Sequence, residues 1–213
     1  MKTLRRFLIG LLALAFVVIA VDFGLRLWAE SWVGDRVQAA LGLSKRPSIS
    51  FGGVLFTPEV ASGNISAATI TADDFTVRGV PFARGELHLR TVTFSAGKLL
   101  LHHEGAVRAR GGDGVLVMTD RDLTAAFHRQ GIPVTIRFSG GVIRASADRL
   151  PAEVEATASI EGGSLVIQPT AVPIRFPLDL PELGPGIRYR SVSIGDSEGK
   201  LFLDIDHARL AVS

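Results

Sequence analysis

The side chains able to do chemistry in this 213-residue chain are scattered in short groups. His102-His103-Glu104 offers two imidazoles to a metal, but adjacent residues on a strand point to opposite faces and do not share one ion. Exposed loop residues are the simpler reading. Asp204 and Asp206 alternate onto one strand face beside His207, a minimal cation site that reads equally as an exposed polar face. Asp73-Asp74 pairs two carboxylates, yet acid/base work needs two groups converging on one substrate, and neighbours at a strand end more often cap a turn. Gly195-Asp196-Ser197-Glu198-Gly199-Lys200 has the texture of a phosphate loop. It is one residue short between its glycines, and Leu201 stands where Ser or Thr would hold magnesium, so a hairpin turn is expected. Arg84, Arg90, Arg108, Arg110 and Arg144 each carry a guanidinium that matches phosphate geometry, though any one alone is an ordinary outer-face charge. His88, between Leu87 and Leu89, faces away from both and reads as a rim histidine. There is no Gly-x-Ser-x-Gly elbow and no cysteine, which excludes disulfides, thiolate metal sites and cysteine catalysis. No catalytic, metal or cofactor constellation emerges, and the chain reads as a non-enzyme.

The elements that position these groups begin with Asp22 to Leu41. Leu25, Trp28, Ala29, Trp32, Val33, Val37, Ala40 and Leu41 recur at the three-and-four spacing of one helical stripe, against Arg26, Glu30, Asp35 and Gln38. Both tryptophans lie on that stripe four residues apart, so their rings stack. Ahead of it, Phe7 to Val21 is an apolar run of fifteen residues preceded by Lys2, Arg5 and Arg6. As a helix it spans about 22 Å, short of a ~30 Å hydrocarbon core, and continuation through Phe23, Leu25, Leu27 and Trp28 lengthens it. Two readings stay open: an uncleaved signal anchor, or a signal peptide removed on export. Both leave the basic flank cytoplasmic and the remainder extracytoplasmic, with residues 1–21 as targeting segment and 22–213 as the exported domain. Without Lys2, Arg5 and Arg6, 20 basic residues face 21 acidic ones, so the domain lacks the basic excess of a nucleic-acid binder.

Beyond Ser44-Lys45-Arg46-Pro47 the chain is strand-like. Phe75-Thr76-Val77 and Val80-Pro81-Phe82 flank an Arg78-Gly79 turn. Leu87 and Leu89 point one way, and Val92 and Phe94 do so after a one-residue slip at Arg90-Thr91, the mark of a β-bulge. Ala106–Arg110 and Gly114–Met118 read as a hairpin across Gly111-Gly112-Asp113. Thr119 and Asp122 form a capping-box-like pair opening a short helix that Gly131 and Pro133 end. Strands then follow over 134–138, 142–147, 154–160, 164–168, 189–194 and 200–205, with a last piece near 208–212. Five prolines at 169, 173, 177, 181 and 185 mark a crossing loop or edge between them. The fold class is α+β, and so many strands with one face to cover are expected to curl around the long helix.

What stands out is an apolar surplus without a chemical centre, including twelve phenylalanines and one tyrosine. A filled core explains it; so does an apolar groove for lipid chains between helix and sheet. Trp32-Val33-Gly34-Asp35-Arg36-Val37, the run Ile70 to Val80, the capped helix from Thr119, and Leu180-Pro181-Glu182-Leu183-Gly184-Pro185-Gly186-Ile187 before a strand carry a resemblance over residues 22–213. In these the chain resembles the LmeA-like phospholipid-binding family of actinobacterial envelopes. The resemblance implies a TULIP-type (tubular lipid-binding) domain, a highly curved antiparallel sheet wrapped around the long helix with lipid between. It further implies phospholipid binding at the outer face of the plasma membrane, a role in lipoglycan or envelope lipid maintenance, and no catalytic residues. Lipid contacts follow from amphipathic phase alone: Trp28, Trp32, Val33, Val37 and Leu41 on the helix, and Ile70, Phe75, Leu87, Leu89 and Phe94 on the strands. Partition of acyl chains needs no headgroup chemistry, since each buried methylene contributes ~0.8 kcal/mol. The alternative is an envelope scaffold that binds a protein partner over a filled core.

Overall fold

The computed structural model describes the backbone of residues 2–41, 43–53, 55–94, 105–147 and 152–212, and their side chains except 2–15, 40–41, 105–106 and 210–212. His102-His103-Glu104 and the Leu41 side chain lie outside the described residues. Helix α1 runs unbroken from Lys2 to Leu41. After it come β1 (Ser48–Phe51), α2 (Phe56–Ser62), β2 (Asn64–Val77), β3 (Val80–Thr93), β4 (Gly105–Thr119) and α3 (Asp120–Arg129). Then follow β5 (Val134–Ser139), β6 (Val142–Ala147), β7 (Val154–Glu161), β8 (Ser164–Pro169), β9 (Phe176–Asp179), β10 (Ile187–Ile194) and β11 (Glu198–Val212). The fold is α+β. A six-stranded sheet runs β1-β2-β3-β4-β11-β10, a five-stranded one β5-β6-β7-β8-β9, and every pairing is antiparallel.

Local sequence sets the turns. Arg78 and Gly79 both take positive φ (46° and 86°) and close the β2–β3 hairpin; Gly140-Gly141 and Gly162-Gly163 do the same for β5–β6 and β7–β8. The Thr119 hydroxyl accepts the Asp122 N–H at 3.2 Å while the Asp122 carboxylate accepts the Thr119 N–H at 3.0 Å. That capping box starts α3 on the residue predicted. The proline-rich stretch contributes only β9, an edge strand paired to β8 alone.

The slip at Thr91 is real and is shared by neighbouring strands. Thr91 has φ 50° and His207 φ 49°, and the rows Ile65–Val92–Ala109–Ala208 and Ala68–Leu89–Gly112–Ile205 both face the core. Two consecutive residues per strand between those rows therefore face outward: Ser66-Ala67, Arg90-Thr91, Arg110-Gly111 and Asp206-His207. The register is unchanged across them, so the pleat breaks along one crease that crosses four strands.

Three expectations need correction. The expected hairpin across Gly111-Gly112-Asp113 is one continuous strand, β4. A Cβ on Gly112 would lie 2.2 Å from the His88 carbonyl oxygen and one on Gly114 would lie 2.5 Å from Leu87 Cδ2, so these glycines admit β3 rather than turn the chain. The pieces expected at 200–205 and 208–212 are likewise a single strand, β11, kinked at His207. Nor does a curved sheet wrap the long helix. Helix α1 packs Ala29 and Val33 against one core and leaves Trp28 59% exposed; the helix enclosed by sheet is α3, with Leu123, Ala126 and Phe127 buried. The apolar stripe was readable, but Leu25 and Trp28 on it have no strand beside them to cover them.

Two cores result. One joins Ile49, Phe51, Phe56, Ile65, Leu89 and Val92 beneath α1 and α2. The other lies between the two sheets around α3, with Phe82, Phe127, Ile136, Ile167, Leu178 and Leu203 at its centre. Leu87 and Ile187 touch both. Among the described residues no helix is long and apolar enough to cross a membrane. Most of the apolar run Phe7–Val21 lies in residues 2–15, whose side chains are not described.

Candidate functional site

The polar groups singled out in the sequence do not converge. Asp73 pairs with Arg84 at 2.9 Å and Asp74, at φ 50°, with Lys45 at 2.5 Å, so the two carboxylates turn to different partners. Hydrogen bonding to Asp73 holds the Arg84 guanidinium above its ordinary value, and Asp74 does the same for the Lys45 ammonium. Gly195 donates its N–H to the Glu198 carbonyl at 2.8 Å, closing a hairpin between β10 and β11 and not a phosphate loop. His88 is exposed, between the Thr69 hydroxyl at 3.3 Å and Glu86 at 3.3 Å. Asp204 faces Arg190 at 3.5 Å, Asp206 faces His207 at 3.6 Å, and all are exposed. No group of three potential metal ligands forms among the described residues.

The apolar candidates divide. Val33, Ile70, Leu89 and Phe94 belong to the core under α1, with Leu87 between the two cores. Phe75 packs on the inter-sheet core and stacks on Phe82, their centroids 5.4 Å apart. Trp28 and Trp32 stack as expected, at 6.4 Å and 18°, but toward solvent, and the Arg36 guanidinium sits 5.0 Å over the Trp32 ring. Val37 is half-buried. Among the described residues, α1 meets this core by direct contact of Ala29 and Val33.

An apolar space lies in the seam between the sheets. A cavity of about 10 Å³ is lined by Met118 of β4, Leu123 of α3, Phe138 of β5, Ala158 of β7, Leu165 and Ile167 of β8, Val192 and Ile194 of β10, and Gly199 and Leu201 of β11. It contains no polar lining side chain. Its margins are incompletely covered: Val192 and Ile194 on β10, and Ile160 on β7, paired with the lining residue Leu165, are only half-buried. No ladder joins β10 to β7, since they belong to different sheets, so apolar contact alone closes the seam there. The Tyr189 hydroxyl donates to the Pro181 carbonyl at 2.8 Å and fastens the proline-rich stretch to β10. Burial pushes that phenol well above its usual range. A second depression of about 460 Å³ beneath residues 169–173 is open to solvent, with Thr157, Gln168 and Thr170 in its wall.

Sequence reasoning missed Met118, Ile160, Val192 and Ile194 as site residues, because each is an ordinary inward strand position. The only local signal was the alternation of Ile187, Tyr189, Val192 and Ile194, which marks a core face and not a seam.

No curated protein and no solved structure matches the chain. A family model described as LmeA-like phospholipid-binding matches residues 20–201, the whole second half of α1 and every strand through β10, with the start of β11. The description names a bound lipid, in keeping with a seam cavity that has no polar lining side chain. The chain belongs to the LmeA-like phospholipid-binding family.

Proposed function

We propose that this protein is a non-enzymatic phospholipid-binding protein of the bacterial cell envelope that takes acyl chains into the seam between its two sheets. The observation that carries the reading is that seam, apolar throughout and closed at β7–β10 without hydrogen bonds. As it stands it holds about one water-sized volume, far below the ~300–1,000 Å³ of ligand pockets, so uptake requires the sheets to part. Parting exposes only hydrocarbon, and an entering chain replaces each lost contact at ~0.8 kcal/mol per methylene. The basic residues Lys2, Arg5 and Arg6 ahead of the apolar run Phe7–Val21 support a domain on the extracytoplasmic side of the plasma membrane, with a role in lipoglycan or envelope lipid maintenance. A second reading, a scaffold for a protein partner, is favoured by the small volume of the closed seam.

Photocrosslinking separates them. The full chain is reconstituted with a phospholipid carrying a photoreactive group at its acyl terminus, and the adducts are mapped by mass spectrometry. Adducts on Ile160, Val192 or Ile194 support the seam. Adducts restricted to α1 leave only bulk membrane contact and favour the scaffold.

A further inference from the structure

Three of the arginines that were unremarkable singly come together on the outer face of the first sheet. Arg108 of β4 stands directly opposite Arg209 of β11, with Thr93 of β3 on its other side. One step along β4, Arg110 sits at the crease beside Thr91 and His207, bracketed by the pairs Ala109–Val92 and Gly111–Arg90. Arg90 faces Gly111 and Ala67, small residues that leave a shallow floor next to its guanidinium. All four arginines are exposed, and none forms an ion pair among the described residues. The one carboxylate in these rows is Asp206, beside His207. The next outward row is mixed: Asp113 and Asp204 stand between His88 and Arg188, and Asp204 pairs with Arg190 at 3.5 Å. Like charges directly opposite one another on a sheet oppose folding, so the Arg108–Arg209 pair is an arrangement that an external anion would relieve.

The place of the patch points to the anion. The strands that cross at the row Ile65–Val92–Ala109–Ala208 carry the arginines on their outer face and, on the inner one, the core against which Ala29 and Val33 of α1 pack. From there α1 continues into its exposed apolar band, Phe16 to Trp28, and Asp22 on that band grips the start of α2 next to Leu55, itself 46% exposed. Ala29 lies seven residues above Asp22, about 10 Å along the helix, comparable to the ~8–10 Å over which salt screens a charge. We propose that Arg90, Arg108, Arg110 and Arg209 form a docking face for the anionic phosphate headgroups of a bilayer surface, separate from the acyl seam. This rests on membrane attachment through α1 and is independent of where acyl chains bind.

The chain has no cysteine, so Thr93→Cys gives a single labelling site in the outer row opposite Arg108. The labelled full chain is placed in nanodiscs of phosphatidylcholine, or with part of that lipid replaced by phosphatidylglycerol, and quenching by headgroup spin labels is measured. Stronger quenching in the anionic discs is expected. Arg108→Gln with Arg209→Gln should reduce that preference by about fivefold per arginine, and high salt should erase it. Arg209→Gln also removes a like-charge pair, so its melting temperature in neutral discs should be equal or higher, which separates lost docking from misfolding. Equal quenching in the two discs, or a preference that survives the double substitution, overturns the proposal. So does inorganic phosphate abolishing the preference at constant ionic strength, which would make soluble phosphate the ligand. Quenching of Trp28 and Trp32 by acyl-chain spin labels reads attachment separately: its absence in both discs overturns the attachment and the docking with it, while its presence with no anionic preference overturns docking alone.

Discussion

Leu165→Ala tests whether an acyl chain enters the seam. Leu165 is 2% exposed near the start of β8, where it pairs with Ile160 and Leu178 and lines the seam cavity. Truncation removes three carbons, ~2.4 kcal/mol of transfer free energy at ~0.8 kcal/mol per methylene. The neighbours are held by sheet ladders on both sides and collapse poorly, which places the total at about 4 kcal/mol, in the upper half of the range for buried Leu→Ala. For a domain of this size that lowers Tm by roughly 8–16 °C. In lipid-free detergent the full loss should appear by circular dichroism. With phospholipid added, a chain lying in the seam fills the vacated space and returns up to ~2.4 kcal/mol, so the variant should gain roughly 5–10 °C more from lipid than the wild type does. Equal gains in the two proteins would refute occupancy of the seam by lipid.

Two further outcomes probe the frame around it. Asp22 accepts the N–H groups of Phe56 at 2.9 Å and Thr57 at 2.6 Å, and these bonds hold its carboxyl below the ordinary aspartate value. A depressed folded pKa means that the tether is present above the ordinary value and lost as pH falls through the folded one. Amide exchange at Phe56 and Thr57 should therefore quicken only in acid for the wild type, and already at neutral pH for Asp22→Asn; unchanged exchange in the variant would show the tether to be idle. Gly112→Ala should push β3 and β4 apart, because its Cβ would sit 2.2 Å from the His88 carbonyl oxygen, and should cost about 1–3 kcal/mol in denaturant unfolding. A neutral result would mean that the strands shift there without penalty.

Much of the fold was legible because it is written in local rules. Arg78-Gly79 admits positive φ, Thr119 and Asp122 satisfy a helix start between themselves, and the spacing of Leu87, Leu89 and Val92 betrays the slip at Thr91. What was not legible depends on partners distant in sequence. Gly111-Gly112 has turn composition, and only the approach of His88 from β3 shows why glycine stands there. The cover of α1 failed for a related reason: an amphipathic stripe states that one face wants burial, not which strands reach it. The seam draws on seven elements, each contributing residues that any core would contain, so no local pattern distinguishes it. The arginine patch arises only when β3, β4 and β11 come into register.

Helix α1 has no joint. Its second half is clasped at successive turns: Asp22 to the start of α2, Ala29 and Val33 to the core, Glu30 to the Phe51 N–H at 2.9 Å, and Ser31 and Asp35 to Arg46. The first twenty residues continue the same rod for about 30 Å. Mechanically this is a cantilever and not a tether. Tilt or rotation imposed on that arm is delivered whole to the sheets, so the domain cannot swivel about it. Inserting a flexible glycine-rich joint near Asp22 would decouple the two, turning a fixed posture into a searching one.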